Sequence, residues 1–192
     1  MINKIKNSKA FTMVETMVSI ALFGFISIVL INVFVSAIKG QTRILQNQEL
    51  MDQSTYVLEY MAKILRMAQK DTAGDCTGTA GANYGVGINS INFVAYDTME
   101  EDYRCRQFIL ENDIIKERRS TDESAANLGA SQDMTSSKVK VEGLTFGVTG
   151  NVVGDLVQPK VTVMVKMESN ISLNPPEITV QTSVSQRSLD IQ

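Results

Sequence analysis

Glu15 is the only charged side chain between Phe11 and Ile38, and it stands near the start of that otherwise apolar run. A charge inside a membrane span costs roughly 2.5 to 3.5 kcal/mol on insertion scales, so acids there are usually paired or functional. In such a setting a carboxylate seeks a cation. The alternative is a carboxylate lying at headgroup level and simply solvated.

Few other residues could do chemistry. The 192-residue chain has no His and no Trp, which excludes mechanisms that use imidazole within the chain as base, acid or metal ligand. No pairing of a nucleophile with a base is visible, and we expect no catalytic residues. Cys76 and Cys105 are the only cysteines. A bridge between them would stabilise the fold by roughly 3 to 4 kcal/mol in the chain-entropy model; two free buried thiols are the alternative. Two Cys without His do not suit a metal site. Asp97, Glu100, Glu101 and Asp102 cluster between strands, where a hard cation such as calcium finds oxygen ligands. Their spacing is not that of an EF-hand, and a solvated acidic loop with no cofactor is the favoured reading. The formal net charge of -3 and the small basic patch Lys116-Glu117-Arg118-Arg119, read as a solvated face, argue against nucleic-acid binding.

The elements that position these residues follow from periodicity. About 28 residues from Phe11 to Ile38 make a helix of roughly 42 Å, enough to cross a bilayer. Val35-Ser36-Ala37 offers a signal-cleavage site, but the run before it is longer than the roughly 7 to 15 apolar residues of a removed signal. Lys4, Lys6 and Lys9 favour a cytoplasmic amino terminus, a bias weakened by Lys39 and Arg43 beyond the span. Between Gln41 and Asp71 there is neither Gly nor Pro. Leu50, Met51, Ser54, Val57, Leu58, Met61, Ile64, Leu65 and Ala68 recur at helical spacing. Joined to the span, they predict a helix of about 60 residues ending near Gly74, with Met51, Met61 and Met67 packed in the core.

Residues 71–87 read as a loop. Strands are predicted at 91–96, 104–110, 114–119, 138–149, 160–167 and 178–184, with a hairpin about Glu111-Asn112-Asp113 and a long excursion or short surface helix over 120–137. The expected architecture is α+β: a long N-terminal helix, its first half in the membrane and its amphipathic second half packed on an antiparallel β-sheet. The boundaries are a leader at 1–10, a membrane segment at 11–38, an amphipathic segment at 39–72 and a sheet domain at 73–192.

The stretch from Ala10 through Phe11-Thr12-Met13-Val14-Glu15 to Gly24 resembles the class III signal of type IV pilins and type II secretion pseudopilins. The resemblance implies that a prepilin peptidase cuts between Ala10 and Phe11 on the cytoplasmic side and methylates the new amino terminus. That cut leaves a positive amine on Phe11, and Glu15 lies about 6 Å further along the helix axis. Pairing of Glu15 with the amine of its own or a neighbouring chain would neutralise two charges costly in lipid and reward stacking in one register. The family usually has Gly where this chain has Ala10, and many pilins have Pro where it has Asn32. Without proline the helix has one less reason to kink there.

The size, and the ending Thr179 to Arg187, look like larger minor pilins and J-type minor pseudopilins. The implied function is that of a non-enzymatic filament subunit, a minor pilin or pseudopilin held as a single-pass precursor in the bacterial cytoplasmic membrane and assembled into an extracytoplasmic filament. Its implied partners are other pilin-like subunits, the prepilin peptidase, membrane lipid, an inner-membrane assembly platform and, indirectly, an ATPase. The alternative is a permanently membrane-anchored extracytoplasmic binding domain, with an unprocessed amino terminus and no assembly.

Overall fold

The computed structural model describes residues 11–151, 154, 157–171 and 175–187. The expected leader, with Lys4, Lys6, Lys9 and Ala10, lies outside the described residues. The chain divides into two compact units, Met1–Leu45 and Gln46–Gln192, and the helix α1 (Met13–Arg66) contributes to both.

In the first unit the helix is apolar around its circumference, and none of its most apolar window, of mean hydropathy 2.6, is buried. Phe23, Phe25 and Phe34 are all exposed. The hydroxyls of Ser19, Ser27, Ser36 and Thr42 each donate to the carbonyl four residues earlier, at 2.7 to 3.0 Å. Their polarity is therefore satisfied within the helix, and from Phe11 to Ile38 the surface presented outward is hydrocarbon apart from Glu15 and Asn32. The helix continues unbroken through Asn32.

In the second unit α1 is amphipathic. Leu50, Ser54, Val57, Leu58, Met61, Ile64 and Leu65 are buried along one face. The methionine stripe is not uniform: Met61 is fully buried, but Met51 is 56% and Met67 38% exposed. Met51 sits about 100° around the helix from Leu50 and so falls on the flank of the buried face. Met67 lies just past the helix end. The helix stops at Arg66, short of the 72 expected from sequence, because its last carbonyls find partners elsewhere. The Tyr84 hydroxyl donates to the Leu65 carbonyl at 2.7 Å, and the Arg187 N–H to that of Arg66 at 2.8 Å. Ala68 and Gln69 then leave as a short strand.

Two antiparallel sheets form where the sequence suggested one. The first contains β1 (Ala68–Gln69), β2 (Gly85–Val86), β3 (Ser90–Asp97), β4 (Asp102–Glu111), β5 (Ile114–Arg119) and β6 (Gln132–Asp133). Its order is β1-β3-β4-β5-β6, with β2 also pairing β3. The second contains β7 (Val139–Thr149), β8 (Lys160–Ser169) and β9 (Glu177–Ser185) in sequence order. Hairpin β4–β5 turns on Asn112 and Asp113, both at positive φ (52° and 63°), as a two-residue primed turn requires. The 120–137 excursion holds a 3₁₀ turn, Ala125–Asn127, capped by the Ser124 hydroxyl.

One core joins helix and sheets. Val57, Met61 and Leu65 meet Phe93, Phe108 and Ile115 of the first sheet and Val141, Leu144, Val163 and Met167 of the second. A smaller cluster, Cys76, Val94 and Cys105, forms apart from it, with Tyr103 and Ala125 packed against it.

Candidate assembly site

The residues of the expected assembly site lie at the start of α1. Thr12 caps the helix: its hydroxyl accepts the Glu15 N–H at 3.2 Å, and its carbonyl accepts the Thr16 N–H at 3.2 Å. Thr12-x-x-Glu15 has capping-box spacing, a signal in the sequence that places the helix start two residues after Phe11. Glu15 thus stands in the first turn, where the positive end of the helix dipole favours a carboxylate. Phe11 is exposed at the head of the segment. The arrangement provides a carboxylate one turn from the amine that removal of residues 1–10 would create, on a helix whose outer surface is otherwise apolar.

In the second unit, Cys76 and Cys105 form a disulfide, with Cα atoms 5.6 Å apart across a sequence separation of 29. Asp71 shapes the loop that delivers Cys76. Its carboxylate accepts the N–H groups of Gly74 (2.8 Å), Cys76 (2.9 Å) and Thr77 (2.8 Å), and the Thr77 hydroxyl at 3.0 Å. Burial alone would raise the Asp71 carboxyl, but these donors outweigh it and hold the group below the usual carboxylate range. Gly74 within this loop has φ 82°, and a Cβ there would meet the Ala80 nitrogen at 2.6 Å.

The acidic cluster of the sequence does not converge. Asp97 is buried and faces Arg106 at 2.9 Å, whereas Glu100 pairs Arg104 at 3.2 Å and Asp102 accepts the N–H of Tyr103 at 2.8 Å. Among the described residues no group of three or more His, Cys, Asp or Glu side chains is placed to hold a metal ion.

The basic patch is likewise not a solvated face throughout. Glu117 is only 3% exposed, and its carboxylate meets Arg106 at 3.2 Å and Arg119 at 3.0 Å. The Tyr60 hydroxyl of α1 donates to Glu117 at 2.8 Å and accepts from Arg119 at 3.1 Å. Two acids and two guanidiniums therefore balance beneath the helix, and the tyrosine ties them to it. For Asp97, burial pushes the carboxyl up, but the Met99 N–H and the nearby arginines prevail and hold it low. Burial, then the Glu117 carboxylate, push the Tyr60 phenol up. These are features of a clamp between helix and sheet.

The surface carries open clefts of about 480 Å³ beside Ala68, Tyr96 and Tyr103, and of about 250 Å³ beside Tyr56, Tyr60 and Arg119.

Residues 5–31 match the prokaryotic N-terminal methylation motif. With the long apolar helix that follows, the match is consistent with a type IV pilin-like protein, and it supports a pilin-like or pseudopilin precursor rather than an enzyme. The motif implies processing by prepilin peptidase and assembly with other pilins. No curated protein and no solved structure matches the chain.

Proposed function

We propose that the chain is a minor pilin or pseudopilin, trimmed between Ala10 and Phe11 and built into a type IV pilus-like or type II secretion filament through the apolar half of α1. The observation that carries this reading is the methylation motif at 5–31 running into a helix whose most apolar window is unburied. An apolar helix segment left unburied among the described residues is suited to lipid before assembly and to neighbouring helices afterwards.

In this reading Glu15 pairs with the amine of Phe11 on an adjacent subunit. Setting one charge against the other in a dry environment stabilises only the register that brings them together. The basic leader keeps the amino terminus cytoplasmic, and the sheet-bearing unit is exported, where its disulfide persists. The inner-membrane platform and other pilin-like subunits are its partners.

Recovery of the chain in sheared filaments, compared with the membrane fraction, tests this. Glu15→Ala leaves the protein in the membrane and depletes it from filaments while the sheet-bearing unit stays folded. Normal filament recovery of Glu15→Ala contradicts the role assigned to the carboxylate.

A further inference from the structure

The apolar stretch of α1 settles almost all of its own polarity. From Phe11 to Ile38 its polar side chains are Thr12, Glu15, Thr16, Ser19, Ser27, Asn32 and Ser36. The Thr12 hydroxyl accepts the Glu15 N–H, and those of Thr16, Ser19, Ser27 and Ser36 donate to carbonyls three or four residues earlier. Glu15 has the amine of Phe11 as its counterion in the function proposed above. That leaves Asn32, whose carboxamide has no hydrogen-bond partner among the described residues. It lies about 9 Å inside the Ile38 end of the run. Hydrocarbon cannot satisfy an amide, so an unmet one at that depth is costly.

The group that meets Asn32 must reside in lipid and must both donate and accept. A carboxamide does both, and two of them facing each other exchange two hydrogen bonds. A second copy of this chain in the same bilayer carries one at the same depth.

The backbone on one side of Asn32 permits close approach. Asn32, Ser36 and Gly40 follow one another at four-residue spacing, along a single ridge of the helix. The Ser36 hydroxyl is turned inward to the Asn32 carbonyl at 2.8 Å. A Cβ at Gly40 would meet no atom within 4 Å, so nothing in its own chain calls for a glycine there. Glycine nonetheless weakens a helix interior. Small residues four apart let two membrane helices approach closely. Lys39 and Arg43 stand about 90° to one side of the ridge at their own levels, so these cations do not face their counterparts across it.

We propose that two copies of this chain pair in the membrane along the ridge Asn32, Ser36 and Gly40, about a two-fold axis parallel to the bilayer normal, with the two Asn32 carboxamides hydrogen-bonded to each other. Such an axis keeps both helices running in the same direction and both amino termini on one side of the bilayer. The inference rests on the membrane reading of the apolar half of α1, but it requires neither removal of the leader nor Glu15.

Oxidative cross-linking of the full chain, in cells lacking prepilin peptidase, tests it. Cys76 and Cys105 are bonded to each other, so a cysteine placed in the span is the one free thiol. Ser36→Cys gives a disulfide-linked dimer, whereas Phe34→Cys, about 160° around the helix, stays monomeric. Added to Ser36→Cys, Asn32→Leu depletes the dimer and Asn32→Gln retains it. In lipid vesicles, energy transfer between differently labelled copies without new cysteines reports the association constant, which Asn32→Leu lowers about 3- to 30-fold. A membrane-bound Ser36→Cys chain that stays monomeric overturns the inference alone. So does a Phe34→Cys dimer of equal yield, an Asn32→Leu variant that pairs as well as the parent, or cross-linking only to a different subunit. Recovery of the chain outside the membrane fraction overturns the membrane reading and the inference with it. If Ser36→Cys fails to accumulate, the energy-transfer comparison decides alone.

Discussion

The Asp71 carboxylate accepts the backbone N–H of Cys76 at 2.9 Å, so one buried acid shapes the loop that brings the first cysteine to the second. The same carboxylate takes donors from Gly74 and Thr77. Asp71→Asn keeps the shape but loses the charge, and one of its two oxygens becomes a donor. Hydrogen bonds to charged groups contribute roughly 1.5 to 3 kcal/mol each, with partial compensation by water on loss. We expect a loss of about 2 to 3 kcal/mol, read as a lower denaturation midpoint with an unchanged slope in detergent-solubilised protein.

Acid should weaken the fold through the same group. Asp71 and Asp97 both have folded pKa values below the ordinary 3.8. Such carboxyls bind protons less readily folded than unfolded, so their contribution is complete above that value and is lost as pH falls through the folded values. Stability is therefore expected to be flat in these groups near neutrality and to fall below about pH 4. Asp71→Asn should flatten the acid limb of a midpoint-against-pH plot; an unchanged limb would show that Asp71 does not contribute to it.

Breaking the disulfide tests the loop from its other end. Cys76→Ser with Cys105→Ser removes a constraint closing a separation of 29 residues, with an expected loss of roughly 2 to 4 kcal/mol. Hydrogen exchange should show the loss of protection concentrated in residues 71–87 and in β4 near Cys105, with the apolar half of α1 unaffected.

The clamp beneath the helix should be strongly coupled. Arg106→Met leaves buried Asp97 and Glu117 with Arg119 as their remaining cation, at 3.8 and 3.0 Å, so the roughly 3 to 5 kcal/mol cost of removing one partner of a buried pair is the upper bound for the loss. Tyr60→Phe removes only a hydroxyl, about 1 kcal/mol. A double-mutant cycle between Tyr60→Phe and Glu117→Gln should return a coupling of about 0.5 kcal/mol or more. A coupling near zero would mean that the tyrosine does not fasten the helix through Glu117.

Some of this was legible in the sequence and some was not, for physical reasons. The strands at 138–149, 160–167 and 178–184 declared themselves through alternation, and the buried face of α1 through three- and four-residue spacing, because both are local patterns. The end of α1 was not legible, since Tyr84 and Arg187, far along the chain, accommodate its last carbonyls. Two sheets formed where one was expected because strand order depends on pairing partners, which alternation does not reveal. Asp97 and Glu117 read as solvated charges. Their cation, Arg106, lies nine and eleven residues away, across strand pairs rather than along one. At the amino terminus the carboxylate of Glu15 was evident from its apolar surroundings, while the cap at Thr12 went unread although the Thr-x-x-Glu spacing carries its signal.

The most direct test of the filament account is the intact mass and amino-terminal sequence of the membrane-extracted protein, expressed with and without prepilin peptidase. The account predicts a chain beginning at Phe11, methylated at its amine, only when the peptidase is present. A chain that keeps Met1 in both cases, in cells that process a control pilin, would contradict it and leave a permanent anchor in its place.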